Sequence, residues 1–404
     1  MPATGGGSTP QYPQRPSTPQ RPAPPRPAPP RHTTRRPSPT ARPAPPRTNR
    51  PEPPAPARPH PAPGAAAGTR TKEPRTMPYT DLPVGHPAGL ARLPEEPGDF
   101  DAFWAGTLRR SRDVGGEPVL TPVTDTELVT VDVYDVRFPG WEGQPVAGWL
   151  VVPSEAEGPS PTVITYIGYG GGRGLPTDHL LYASAGYAHL VVDSRGQGHD
   201  TPDAHAGAGT QWVHGFMTRG IEDPHEHYYR RLITDCVRAV DAARLLPHVD
   251  ATRIVVQGAS QGGGLALAVA GLAGRTVAAA LPDVPFLCHM RRGAETATEG
   301  PYTELVDHLR HDPRRDPARV FATLGYFDGV HFAARATAPA LFSAGLMDPV
   351  CPPSTVHAAF DRYAGEKALR EWPFADHGGG RGATAAEHLR WLRGRGLAPA
   401  ARRM

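Results

Sequence analysis

Cysteine is scarce in this chain: Cys236, Cys288 and Cys351 are the only three in 404 residues, far apart and without a Cys-x-x-Cys spacing. That excludes a disulfide framework and a cysteine zinc site, and it points to a reduced compartment. Long hydrophobic runs are also lacking. The longest, Leu265 to Ala273, is about half of the roughly 20 residues that a membrane-spanning helix needs, so no membrane partner is expected. The N-terminus lacks the apolar stretch of roughly 7 to 15 residues that a secretory signal requires, and the expected location is cytoplasmic. Repeats with solenoid or propeller periods are absent as well.

The near balance of 43 Lys and Arg against 40 Asp and Glu conceals two unlike segments. Residues 1 to 76 hold 13 basic and 2 acidic residues, and 24 of the 51 prolines, but no Leu, Ile, Val, Phe, Trp or Cys. Such a segment has nothing to bury against the entropy of ordering, and it reads as a disordered Pro/Arg-rich extension. Its Arg21 to Arg31 stretch has the composition of a basic polyproline II ligand. A plain flexible extension is the stronger reading of the composition, and no specific nucleic-acid partner is expected. Residues 77 to 404 hold 30 basic against 38 acidic residues and are rich in Val, Leu and Ala, enough for one large core.

From Met77 onward the pattern is that of alternating strands and helices. Asp99 to Arg112 places Phe100, Phe103, Trp104 and Leu108 at helical spacing behind an acidic cap. Leu128 to Phe138 and Val146 to Val152 read as an antiparallel pair with one polar face. Thr162 to Ile167, Ala188 to Val192, Arg253 to Val256, Val277 to Leu281 and Ala340 to Ala344 are short apolar runs, as expected of strands covered on both faces. Helices are expected at Tyr228 to Leu246 and Gln261 to Ala273. The fold class is therefore α/β, with a mostly parallel central sheet and helices on both faces.

The chemistry concentrates at Gly258-Ala259-Ser260-Gln261-Gly262, between a buried strand and an Ala/Leu-rich helix. This is a G-x-S-x-G elbow in the context it requires. The turn strains the serine backbone and exposes Oγ at a helix N-terminus, whose amides favour a developing oxyanion. The alternative is a Gly-rich turn that only packs tightly. A serine hydroxyl needs a base, itself oriented by an acid, in the chain order Ser, Asp, His. Asp348 ends the strand before Pro349, and His377 follows the next apolar segment. Asp283 and Asp328 are rivals for the acid, and His331 and His357 for the base, but Asp328 and His331 lie in an irregular stretch before the Ala340 strand and His357 within a helix, so neither position follows the right strand. His225-Glu226-His227 reads as a polar stretch facing solvent rather than a metal site. Arg195, Gly196 and Gln197 read as structural, and Cys351 as a small packed thiol near the acyl pocket.

The chain from about Met77 to Leu392 resembles carbohydrate esterase family 7, the acetyl xylan esterases and cephalosporin C deacetylases. The likeness rests on YIGYGGGRG (Tyr166 to Gly174), DSRGQG (Asp193 to Gly198), GFMTRGI (Gly215 to Ile221), GASQGGG, DVPFLCH (Asp283 to His289), YFDGVHFAAR (Tyr326 to Arg335) and GLMDPVCPPST (Gly345 to Thr355). It implies an α/β-hydrolase fold, deacetylation of small acetylated sugars and related esters, no metal or other cofactor, and a homohexamer. By position it carries Ser260, Asp348 and His377 over as the triad. The backbone N–H groups of Tyr169 and Gln261 become the oxyanion hole, which agrees with where this fold takes its donors. Tyr169, Pro285 and Val350 fall where related esterases close the acyl pocket. One departure is Gly378, where the family has Glu directly after the histidine. A longer-chain esterase or peptidase on the same fold, and a non-catalytic scaffold displaying the proline-rich extension, are the alternatives.

Overall fold

A computed structural model describes Asp81 and residues 93–198, 200–205 and 211–399. The Pro/Arg-rich extension, residues 1–76, lies outside the described residues, as do Met77 and residues 206–210. Among the described residues nine strands form one sheet in the order β1-β2-β3-β5-β4-β6-β7-β8-β9.

The first three strands are β1 (Val119–Val123), β2 (Val131–Pro139) and β3 (Pro145–Pro153), joined antiparallel. β1 was not foreseen: it is an edge strand carrying Pro122, and its side chains are mostly exposed, so neither period nor propensity marks it. The expected pair with one polar face holds for β2, where buried and exposed positions alternate at its start. It does not hold for β3, which is buried along nearly all of its length because it lies inside the sheet, antiparallel to β5 (Ala188–Val192). The remaining strands are parallel: β4 (Ser160–Tyr166), β6 (Val249–Ala259), β7 (Ala279–Asp283), β8 (Ala340–Gly345) and β9 (Lys367–Trp372).

Ten helices accompany the described sheet. α1 (Phe100–Asp113) and α2 (Leu180–Ser184) precede α3 (Tyr228–Ala243) and α4 (Gln261–Ala273). Then come α5 (Met290–Thr296), α6 (Tyr302–His311), α7 (Pro317–Gly325), α8 (Gly329–Ala333), α9 (Pro353–Arg362) and α10 (Gly382–Gly394). Asp99 stands at the N-cap of α1 but does not cap it; its carboxylate receives the Tyr326 hydroxyl instead.

The period-2 alternation of the parallel strands divides the core. Ile164, Val256, Ala280 and Phe342 face α3 and α4, where Leu265 to Ala270 are buried without exception. Each buried leucine there contributes about 1.5–3 kcal/mol. Val163, Val255, Leu281 and Leu341 face the other way, onto Tyr182, Tyr187 and Leu392 of α10. The parallel strands all end at one edge, and the loops that leave it carry the chemistry.

Candidate active site

β6 runs into α4 through Ser260, whose φ of 58° and ψ of −122° lie in a region that L-residues avoid. The turn is held from three sides: Ser260 N–H donates to the Asp283 carbonyl, and the Ser260 carbonyl receives the N–H groups of Gly264 and Phe286. Space explains the flanking glycines. A Cβ on Gly258 would collide with the backbone of Gly262, and one on Gly262 with the Tyr166 carbonyl.

Asp348, just after β8, is fully buried, and its Oδ1 accepts the N–H groups of Val350 and Cys351, each at 2.8 Å. Its Oδ2 meets His377 Nδ1 at 2.8 Å. With Nδ1 spent on the carboxylate, the partly exposed imidazole keeps Nε2 for a substrate-side partner. Cys351 is buried between these groups: its thiol interacts with the Ser260 side chain and lies within 4.8 Å of the ligand atoms of both Asp348 and His377. Burial pushes this thiol well above its ordinary pKa. No hydrogen bond joins Ser260 to His377 among the described residues, an arrangement common before substrate tightens the contact. Asp348, Cys351 and His377 are also the three side chains placed to share a metal ion, but the carboxylate is already engaged and the thiol is held protonated.

The rival residues lie elsewhere. Asp328 is the N-cap of α8 and accepts three backbone N–H groups, from His289, Met290 and Val330, so the expected irregular stretch is a capped helix. His331 pairs with Glu96, and His357 on α9 with Glu371. Asp283 faces α10, bonded by Ser343 and His388. The surface reading of His225-Glu226-His227 fails for His227: it is fully buried, takes the Tyr229 N–H and contacts the Met217 carbonyl, and burial lowers its pKa to about 3. Asp376, directly before the histidine, turns its carboxylate back to accept the Gly378 N–H at 2.9 Å.

Among the described residues neither the Tyr169 nor the Gln261 N–H is spent on a backbone carbonyl or a side chain. Gln197, read as structural, ties these two stretches together. Its Oε1 accepts the Gly170 N–H at 2.7 Å, and its amide meets Gln261 Oε1 at 2.9 Å. Gln261 in turn donates to the Ile167 carbonyl at 3.2 Å. Arg195 is structural, as expected: its buried guanidinium forks onto Asp235 of α3 at 2.6 and 2.9 Å. The Gln197 contact spans 64 residues, which no local pattern encodes.

Of the expected acyl-pocket residues, Tyr169 and Val350 are half-buried and Pro285 is buried. Val350 packs on Gly300 just before α6, and Pro285 lies against Gly263 of α4. A cavity of about 550 Å³ lined by Met347, Trp372, Phe374, Asp376 and Gly379 flanks the His377 loop. A roomier cavity, about 700 Å³, lies apart between α5 and α7 and touches none of Ser260, Asp348 and His377.

Residues 77–395 match the family described as acetyl xylan esterase (AXE1). The chain belongs to the acetyl xylan esterase family. An acetyl xylan esterase from Paenibacillus sp. R4 is 39% identical and superposes with a TM-score of 0.73, over 78% of this chain and 99% of that one. Acetyl xylan esterase 1 from Thermoanaerobacterium sp. JW/SL YS485 is 31% identical with a TM-score of 0.71, over 77% and 99%. An acetyl esterase of Xylanibacter ruminicola is 29% identical over 299 residues, 72% of this chain and 66% of that protein, so the chain spans just under two thirds of that relative's length. The α/β-hydrolase fold and the class of carboxylic ester hydrolase read from the sequence agree with this membership.

Proposed function

We propose that this member of the acetyl xylan esterase family removes acetyl groups from small acetylated substrates, xylo-oligosaccharide acetates and cephalosporin C-type esters among them, through an acetyl-serine intermediate. The observation that carries the reading is the strained Ser260 elbow standing beside the Asp348–His377 pair, whose Nε2 is left for proton transfer. His377 takes the proton from Ser260 Oγ as the oxygen bonds to the acetyl carbon. The N–H groups of Tyr169 and Gln261 receive the oxyanion, and Asp348 stabilises the imidazolium. Collapse breaks the bond to the alcohol, which leaves with the proton from His377. Water then gives a proton to His377 and its oxygen to the acetyl carbon; collapse breaks the bond to Ser260 Oγ, which takes the proton back from His377 as acetic acid leaves.

Tyr169, Pro285 and Val350 close the acyl side in this reading. Each methylene that does not fit forfeits about 0.8 kcal/mol of transfer energy, and the overpacked chain as a whole adds strain of roughly 1 to 3 kcal/mol. Butyrate esters are then expected to fall on the order of 10² to 10⁴ below acetate in kcat/KM. A hydrolysis profile over acetylated xylo-oligosaccharides, cephalosporin C and para-nitrophenyl esters of increasing length tests this. Butyrate at or above acetate would favour the longer-chain esterase or peptidase, and no turnover of any ester would favour the non-catalytic scaffold. A homohexamer and a cytoplasmic location belong to the same reading and rest on family resemblance and composition; sedimentation of the purified protein tests the first.

A further inference from the structure

Tyr169 enters the site through its backbone N–H, so whatever fixes its side chain also fixes where that N–H points. The loop around it, Ile167-Gly168-Tyr169-Gly170-Gly171-Gly172-Arg173, offers no other side chain between the isoleucine and the arginine with which to hold itself. The phenol donates to Glu304 Oε1 at 2.6 Å and accepts the Phe216 N–H. Glu304 Oε2 accepts the Met217 N–H at 3.0 Å. The carboxylate occupies the place where a side chain on residue 215 would be, and Gly215, with a φ of 107°, leaves it free. Part of the GFMTRG segment thus serves as a clamp around one phenol–carboxylate pair.

The pair is desolvated: burial pushes the Glu304 carboxyl above its ordinary range and the Tyr169 phenol higher still. Glu304 stands in the first turn of α6. The segment just before it braces the acid loop, because Thr298 and Glu299 N–H both donate to the Pro349 carbonyl and Val350 lies on Gly300. One short stretch, residues 298–304, therefore connects the loop of Tyr169 to the loop of Asp348.

We propose that Glu304 is a positioning residue for the oxyanion hole, holding the Tyr169 phenol so that the Tyr169 N–H is aimed at the developing charge. This rests on the reading of Tyr169 as a hole donor and deepens it: Glu304 touches no substrate and acts through the tyrosine. Losing one oxyanion donor costs about 10² to 10³ in kcat, and a misaimed donor is expected at the lower end of that range.

The test is steady-state kinetics on para-nitrophenyl acetate with Glu304→Ala, Glu304→Gln, Tyr169→Phe and the Glu304→Ala/Tyr169→Phe double variant, below the melting temperature of each. Glu304→Ala and Tyr169→Phe are expected to lower kcat about 10²-fold with KM changed by less than about threefold. The double variant should be no worse than the poorer single, since both remove the same contact. Glu304→Gln keeps one acceptor for the phenol and should recover most of kcat. Wild-type kcat in Tyr169→Phe, or in any folded Glu304 variant lacking the acceptor, overturns the proposal, as do independent, multiplying losses in the double variant. Should Glu304→Ala not fold, Tyr169→Phe and Glu304→Gln decide alone. Ser260→Ala separates the two levels: if it stays active the esterase reading itself falls, whereas an inactive Ser260→Ala beside a fully active Tyr169→Phe removes only the role of Glu304.

Discussion

Two aspartate–histidine pairs sit at the ends of neighbouring parallel strands, and they are built for opposite ends. Asp348 after β8 meets His377 at 2.8 Å, and Asp283 at the end of β7 meets His388 at 3.2 Å. In the first pair the carboxylate is bonded through Nδ1 and the imidazole is 30% exposed. In the second the imidazole is 2% exposed and both nitrogens are taken, Nε2 by Asp283 and Nδ1 by the Tyr182 hydroxyl. An Asp–His contact alone therefore says little about chemistry. What separates a base from a strut is a nitrogen left open toward solvent, and the sheet decides this by face: Asp283, two residues after Leu281, shares its face toward α10, while Asp348 lies beyond the strand end.

The sharpest way to break this comparison is at Ser260, the proposed nucleophile, which only one of the pairs would serve. Ser260→Ala is expected to keep the fold and lose roughly 10⁶ of the catalytic rate, the scale known for removal of a serine nucleophile; para-nitrophenyl acetate turnover within tenfold of the unmodified enzyme would end the assignment. Next, Asp348→Asn should lower kcat about 10⁴-fold by losing control of the imidazole tautomer. Asp283→Asn should leave kcat within about tenfold, and equal losses in the two asparagine variants would erase the distinction drawn between the pairs.

How much of this was legible in the sequence depends on the range of the interaction. The elbow is local: five consecutive residues, a strand before and a helix after, and the strain at Ser260 followed from them. Asp348 and His377, proposed above as acid and base, were brought together in the sequence through chain order, because Asp348 follows the visible apolar run of β8 and His377 the segment after it. Glu304 and Gln197 were not, since a glutamate in an amphipathic helix or a glutamine in a turn carries no sign of a partner 135 or 64 residues away. His227 was misread for a related reason. Its polar neighbours suggested a surface, while aromatic packing against Phe327, 4.6 Å between ring centroids, buries it.

Smaller effects sharpen the contrast on the structural side. His388→Ala leaves the Tyr182 hydroxyl without its partner and the Asp283 carboxylate with only Ser343 and Gln257 as donors, at a cost of about 1 to 3 kcal/mol in unfolding free energy, with kcat within about fivefold. Chemical denaturation and kinetics on the same preparation would check both halves. Finally, His189 has both nitrogens engaged, by Thr165 and the His179 carbonyl, and burial lowers its pKa from 6.5 to about 4. The unfolded chain takes up a proton near 6.5 that the fold resists. This stability is thus present above pH 6.5 and lost as pH falls toward about 4, a loss of about 3 kcal/mol over that window. Denaturation midpoints between pH 7.5 and 4.5 should fall accordingly, and should fall less in His189→Gln; an unchanged slope in that variant would assign the acid sensitivity to other groups.

The backbone of Ser260 has a consequence for how this chain can change over generations. A positive φ at a residue with a Cβ costs on the order of 1 to 3 kcal/mol, and glycine at position 260 would lift that cost at once. The more stable occupant of the elbow is thus the inert one. A population drifting without selection on turnover is expected to find that relief among its easiest stabilising steps, so the serine is retained only for as long as its reaction matters to the cell.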